Sequence, residues 1–117
     1  MNKVIIVEGK SDRERLLSVL DENVEIICTN GTLNDEAMER LSSDFKDGEI
    51  YVLTDADAAG NALRRKIKTE ISYARHLYTR KIYREIATTP LEYLTEMLQR
   101  SHFAVKPLES VRNRRPR

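Results

Sequence analysis

Val4-Ile5-Ile6-Val7-Glu8-Gly9-Lys10-Ser11-Asp12 and Ile50-Tyr51-Val52-Leu53-Thr54-Asp55-Ala56-Asp57-Ala58-Ala59-Gly60 follow one pattern. In each, a short apolar run rich in β-branched residues stops abruptly at acids and a glycine. Such an unbroken run predicts a strand buried on both faces, the usual state in a parallel sheet. Val24-Glu25-Ile26-Ile27-Cys28 reads as another strand, ending at the turn pair Asn30-Gly31, and Arg75 to Arg80 as a fourth.

Helical patterns fill the gaps. Ser11 is expected to open a first helix, with Glu14 closing a capping box and Leu16, Leu17 and Leu20 as its apolar stripe. A second runs from about Asn34 to Phe45, with Ala37, Leu41 and Phe45 on one face and Gly48 as its stop. Leu63, Ile67 and Ile71 line a third, and Gly60 falls in the loop or first turn before them. Thr89-Pro90-Leu91-Glu92 reads as a helix start, with Thr89 capping and Leu91, Leu94 and Leu98 facing inward. Strands alternating with helices give an α/β class: a parallel sheet of about four strands flanked by helices. We expect one domain over residues 1–105 and a basic, flexible tail over 106–117.

The chain's 117 residues suffice for one core. No apolar run approaches the ~20 residues of a membrane span. The N-terminus has no small-residue cleavage site, and the single cysteine, Cys28, excludes an internal disulfide framework. A cytoplasmic protein is the expectation. The net charge of +1 conceals a gradient: residues 1–60 hold 6 Lys/Arg against 14 Asp/Glu, and residues 61–117 hold 14 against 5. That division suits a metal site beside a phosphate-binding surface, although solvated helices also vary in charge.

In parallel sheets ligands bind beyond the carboxyl ends of the strands. If the first and third strands are neighbours, Glu8, Asp55 and Asp57 converge there. Carboxylates that close repel one another unless a cation or proton intervenes. Mg²⁺, with Mn²⁺ as a substitute, fits an oxygen-only donor set. Gly9 and Gly60 would let a phosphate backbone approach. The plainer alternative is that these acids cap the following helices, and Asp57 and Asp12 are placed to do so. Arg64, Arg65, Lys66 and Lys68 on the third helix could steer phosphates or simply be solvated. Tyr73, Tyr78, Tyr83 and Tyr93 could stack on bases or pack. His76 and His102 have no His or Cys neighbour at ligand spacing and read as surface or packing residues. Dinucleotide and nucleotide phosphate-loop glycine motifs are missing.

Val-Glu-Gly after the first strand, with Asp-x-Asp-x-x-Gly after a later one, resembles the Toprim domain over roughly residues 3–100. That domain is shared by topoisomerases, bacterial primases, overcoming-lysogenization-defect nucleases, recombination proteins and the ribonuclease that matures 5S ribosomal RNA. The resemblance implies a Toprim-like (Rossmann-like) fold. Glu8 would be the general acid or base and a possible metal ligand. Asp55 and Asp57 would be the Mg²⁺-binding pair, and Gly9 and Gly60 the motif glycines. Glu8-Gly9-Lys10-Ser11-Asp12 and Thr29-Asn30-Gly31 look most like the 5S ribosomal RNA ribonuclease, with Asp12 a possible additional acid and Lys10 a phosphate contact. The shorter chain lacks a primase's zinc and polymerase parts and a topoisomerase's tyrosine domain, and so resembles the small stand-alone members. The expectation is Mg²⁺-dependent phosphodiester cleavage in a nucleic acid, RNA more than DNA, with Lys10, Arg64, Arg65 and Lys68 touching phosphates. The alternative is a non-catalytic, metal-dependent nucleic-acid or nucleotide binding module acting with a partner protein. The sequence leaves the oligomeric state open.

Overall fold

β1 (Lys3–Val7), β2 (Glu25–Cys28), β3 (Glu49–Leu53) and β4 (Arg75–Leu77) form one sheet in the order β2-β1-β3-β4, every neighbouring pair parallel. The computed structural model describes residues 3–30, 33–46, 48–79, 81–107 and 109–110. Gly31, Arg80 and the stretch from 111 onward, all named above, lie outside the described residues. Four helices flank the sheet: α1 (Lys10–Val19), α2 (Asp35–Asp44), α3 (Ala58–Glu70) and α4 (Leu91–Arg100), with a short 3₁₀ turn at Lys81–Tyr83.

The strand runs are apolar throughout because each face of the sheet is covered. Alternate residues point to opposite sides. Ile5, Val7, Tyr51 and Leu53 pack with Leu16 and Val19 of α1 and Leu94 and Leu98 of α4. Val4, Ile6, Ile50 and Val52 pack with Met38 and Leu41 of α2, Ile67 of α3 and Ile71 at its C-cap. Burying one such side chain completely contributes roughly 1.5–3 kcal/mol. A slip of one residue in β1 or β3 would exchange the two faces wholesale, so both layers defend the register Ile5↔Tyr51 and Ile6↔Val52.

Helix starts depart from the sequence reading in two places. α1 begins at Lys10 with Gly9 as its N-cap, and the Asp12 carboxylate accepts the Gly9 N–H at 3.2 Å. The expected Ser11–Glu14 box is displaced because an acid three residues after the cap already closes that turn. α4 has Pro90 at its N-cap, and the Thr89 hydroxyl donates to the carbonyl of Glu85 at 2.8 Å instead of capping. Leu17, assigned to the core stripe, is 45 % exposed, because α1 meets α4 along Leu16 and Val19. The Asn34 side chain does cap α2, accepting the Ala37 N–H at 2.8 Å. Past α4, Val105 bridges Leu20, and the Lys106 N–H donates to the carbonyl of Val19 at 2.9 Å. The chain is therefore tied to the domain one residue into the stretch expected as tail. Among the described residues no helix is long and apolar enough to cross a membrane.

Candidate metal and phosphate site

From β1 the chain passes outward to β2, then returns across β1 to β3. The crevice between the carboxyl ends of β1 and β3 is thus a topological switch point, where open α/β sheets take their ligands. Glu8 leaves β1 there and Asp55 leaves β3, and the two are joined directly: Glu8 Oε1 accepts the Asp55 N–H at 2.8 Å. Asp55 Oδ1 in turn accepts the Ile86 N–H at 2.9 Å. Asp57 Oδ1 accepts the Gly60 N–H at 2.7 Å and caps α3. Each of Glu8, Asp12, Asp55 and Asp57 therefore spends one oxygen on a backbone amide. Its second oxygen accepts no hydrogen bond among the described residues. The capping alternative holds for Asp12 and Asp57, and it leaves half of each carboxylate available.

The charges feel one another. Burial pushes the Glu8 carboxyl above the usual range, and repulsion from Asp55, Asp57 and Asp12 adds to it, against the favourable Asp55 amide. Asp12 is only 7 % exposed, and burial raises it too, joined by repulsion from Asp55 and Glu85 and opposed by the Gly9 amide and Arg15. Among the described residues, no three His, Cys, Asp or Glu side chains close on a single point as metal ligands. An all-oxygen, mutually repelling set with one oxygen spare on each member still fits a hard cation. Mg²⁺ in particular takes one or two carboxylates and completes its shell with water and substrate phosphate.

Surrounding residues explain the motif's other letters. A Cβ on Gly60 would stand 2.1 Å from the carbonyl oxygen of Asp55, so glycine is required by the close approach of α3 to the acid loop. Gly9 carries no such demand: its Cβ would meet only Asp12 Oδ2, at 3.8 Å. Asn30 takes a left-handed backbone (φ 54°), and its N–H donates to the Glu8 carbonyl at 2.8 Å, which ties the Thr29-Asn30 segment to the site.

The basic residues divide. Lys10, Arg65 and Lys68 are exposed. Arg64, expected on the phosphate-facing side, is not: it is 5 % exposed, with guanidinium bonds to the carbonyls of Leu77 at 2.6 Å and Thr54 at 3.3 Å. Its place on the β4 side of α3 turns it inward, where unpaired carbonyls at the strand ends compete for it. Sequence reasoning also missed Arg15. Its guanidinium donates to the carbonyl of Ile86 at 3.0 Å and to that of Thr89. It thereby holds the segment whose amide serves Asp55. No local spacing reports a partner 71 residues away.

With that geometry in place, comparison with known proteins is decisive. The Toprim domain model matches residues 3–100. The chain belongs to the Toprim family. The solved structure of a small Toprim domain protein from Bacillus stearothermophilus superposes with a TM-score of 0.88 at 43 % identity, over 95 % of this chain and 93 % of that one. A Bacillus subtilis protein named only as uncharacterized YusF is 42 % identical over 105 residues, 90 % of this chain and 72 % of its own. Ribonuclease M5 of Mesoplasma florum is 36 % identical over 67 residues, and ribonuclease M5 of Streptococcus pneumoniae 33 % identical over 82. This Toprim chain spans only 38 % and 43 % of those two ribonucleases. The four-stranded parallel sheet with its four helices is thus a Toprim fold, and kinship with the ribonucleases supports a nuclease-type function at the level of the family.

Proposed function

We propose that this Toprim domain cleaves phosphodiester bonds in a nucleic acid in an Mg²⁺-dependent reaction, with RNA the favoured substrate. The observation that carries the reading is the placement of Glu8, Asp55 and Asp57, with Asp12, around the β1–β3 switch point, near enough to repel and each with one carboxylate oxygen to spare. Toprim domains are generally Mg²⁺-dependent, and the ribonuclease M5 relatives favour RNA.

Asp55 and Asp57, with Glu8, are the residues that would hold Mg²⁺, and the cation would supply charge neutralisation and polarisation at the phosphate. Glu8 takes a proton from the attacking water at the oxygen not engaged by the Asp55 amide. Water's oxygen bonds to phosphorus, and the leaving sugar oxygen departs with a proton from solvent. Lys10, Arg65 and Lys68 hold flanking phosphates, a contribution that weakens with salt.

Cleavage of end-labelled structured RNA and of DNA, with Mg²⁺ and with EDTA, is the test. Turnover of RNA should vanish in EDTA and fall by at least about 100-fold in Glu8→Gln, the scale of a lost general base. Full activity in Glu8→Gln would overturn the assigned role. A second reading, a non-catalytic metal-dependent binding module working with a partner enzyme, is favoured by one observation: all four acids already serve backbone amides. Metal-dependent RNA binding without turnover would support it, and turnover by the purified chain would exclude it.

A further inference from the structure

Tyr78 directly follows β4, so it stands at the same carboxyl edge of the sheet as Glu8 and Asp55. One face of its ring rests on the guanidinium of Arg64, whose Cζ lies 4.2 Å from the ring centroid. That guanidinium is fixed from behind by the Thr54 and Leu77 carbonyls and lies 3.2 Å from His76 Nδ1. Although backed in this way, Tyr78 is 59 % exposed. The His76 ring lies 6.4 Å away at 27°, so the Tyr78 ring is held by Arg64 and its neighbour, and a ring restrained in this way loses little freedom when something flat lies on its exposed part. Four residues on, Ile82 is 80 % exposed, in the 3₁₀ turn. The chain just past Ile82 is anchored to the acid loop. The Arg84 carbonyl accepts the Ala56 N–H at 2.6 Å, Ile86 serves Asp55, and Arg64 binds the carbonyl just before Asp55.

An exposed aromatic at the rim of an acid site and within the chain's basic half, with a further exposed aliphatic four residues on, has a matching occupant. A nucleobase offers an apolar face for stacking, and its attached phosphates suit the exposed Arg65 and Lys68 on neighbouring α3. A base inside an intact duplex presents no free face. We propose that Tyr78 is a docking platform for one unpaired nucleobase adjacent to the phosphate bound at the metal site, so that the substrate is single-stranded or unstacked at that position. This rests on the nucleic-acid reading above and adds the class of substrate.

The test is equilibrium binding of a single-stranded RNA carrying one 2-aminopurine and of a fully paired RNA duplex, with Ca²⁺ replacing Mg²⁺ to limit cleavage. Wild type is compared with Tyr78→Phe, Tyr78→Leu and Tyr78→Ala. Tyr78→Leu keeps an apolar cover over Arg64 if Tyr78→Ala does not fold. Tyr78→Phe should bind as wild type does. The Leu and Ala variants should bind the single strand about 10-fold more weakly, with altered 2-aminopurine fluorescence and unchanged duplex binding. Equal losses for both RNAs, or no loss, would overturn the platform while leaving the functional reading intact. Failure of the wild type to bind either RNA would remove the functional reading and the platform with it. A shift in oligomeric state on sedimentation of the Tyr78 variants, with RNA binding unchanged, would assign this surface to self-association and overturn the platform.

Discussion

A Cβ placed on Gly60 would lie 2.1 Å from the Asp55 carbonyl oxygen and 3.0 Å from its carbon, both backbone atoms that cannot swing aside. Gly60→Ala must therefore displace the acid loop, at a cost of about 1–3 kcal/mol. Gly9→Ala meets only ordinary contact and should stay within about 0.5 kcal/mol of wild type. Urea unfolding of the two variants checks this, and equal stabilities would contradict it. The glycine pair was legible as a motif, but only packing separates the glycine that is sterically required from the one that is not. His76 shows the same limit. It has no His or Cys neighbour at ligand spacing, yet nothing local announced that its ring would sit by Arg64 with Nε2 buried and without a hydrogen-bond partner among the described residues. Burial, then Arg64 and Lys68, lower its pKa from the usual 6.5 to about 4. Between those values the unfolded chain binds a proton that the folded one refuses, so this residue's contribution to stability falls as pH drops from about 6.5 to about 4. Glu8 and Asp12, raised in the fold, act with the opposite sign. Thermal melts of His76→Asn against wild type across that window isolate the histidine part: wild type should lose more stability on acidification, and parallel curves would refute the assignment.

At the scale of elements, β1 and β3 were readable because a strand covered on both faces has no polar alternation to obscure it. α2 was readable because Asn34 caps it from within its own sequence. The errors have two causes. Ser11 lost its capping role to Gly9 and Asp12, Leu17 turned outward because α4 packs on the neighbouring stripe, and Arg64 turned inward to the strand-end carbonyls. The first was decided by a competing local cap, the other two by partners on another element. Distance in sequence hid the link between α1 and the acid loop: Arg15 grips the carbonyls of Ile86 and Thr89, and the Ile86 amide grips Asp55. Removing the guanidinium in Arg15→Ala should loosen this segment, and Arg15→Lys cannot reproduce the fork. Hydrogen exchange at the Ile86 amide should accelerate by about 10-fold in Arg15→Ala, equivalent to about 1.4 kcal/mol of local stability. An unchanged rate would show that Asp55 alone orders the loop.

Across the whole molecule, the acidic front half supplies β1, β3 and their carboxylates, and the basic back half supplies α3, β4 and the segment that closes over Asp55. The fold brings the two halves together at one edge of the sheet, an outcome the composition hinted at and the β2-β1-β3-β4 order accomplishes. Repulsion among Glu8, Asp12, Asp55 and Asp57 is tolerated there by amide donors, and it is the feature a divalent cation would relieve. Calorimetric titration of Mg²⁺ and Mn²⁺ into wild type and Asp55→Asn/Asp57→Asn, alone and with short RNA or DNA, tests this most directly. Binding by wild type, strengthened by RNA and abolished in the double variant, is the predicted result. No cation binding even with nucleic acid present would mean that the acids serve only as caps for the backbone, and that this chain keeps the Toprim fold without its metal chemistry.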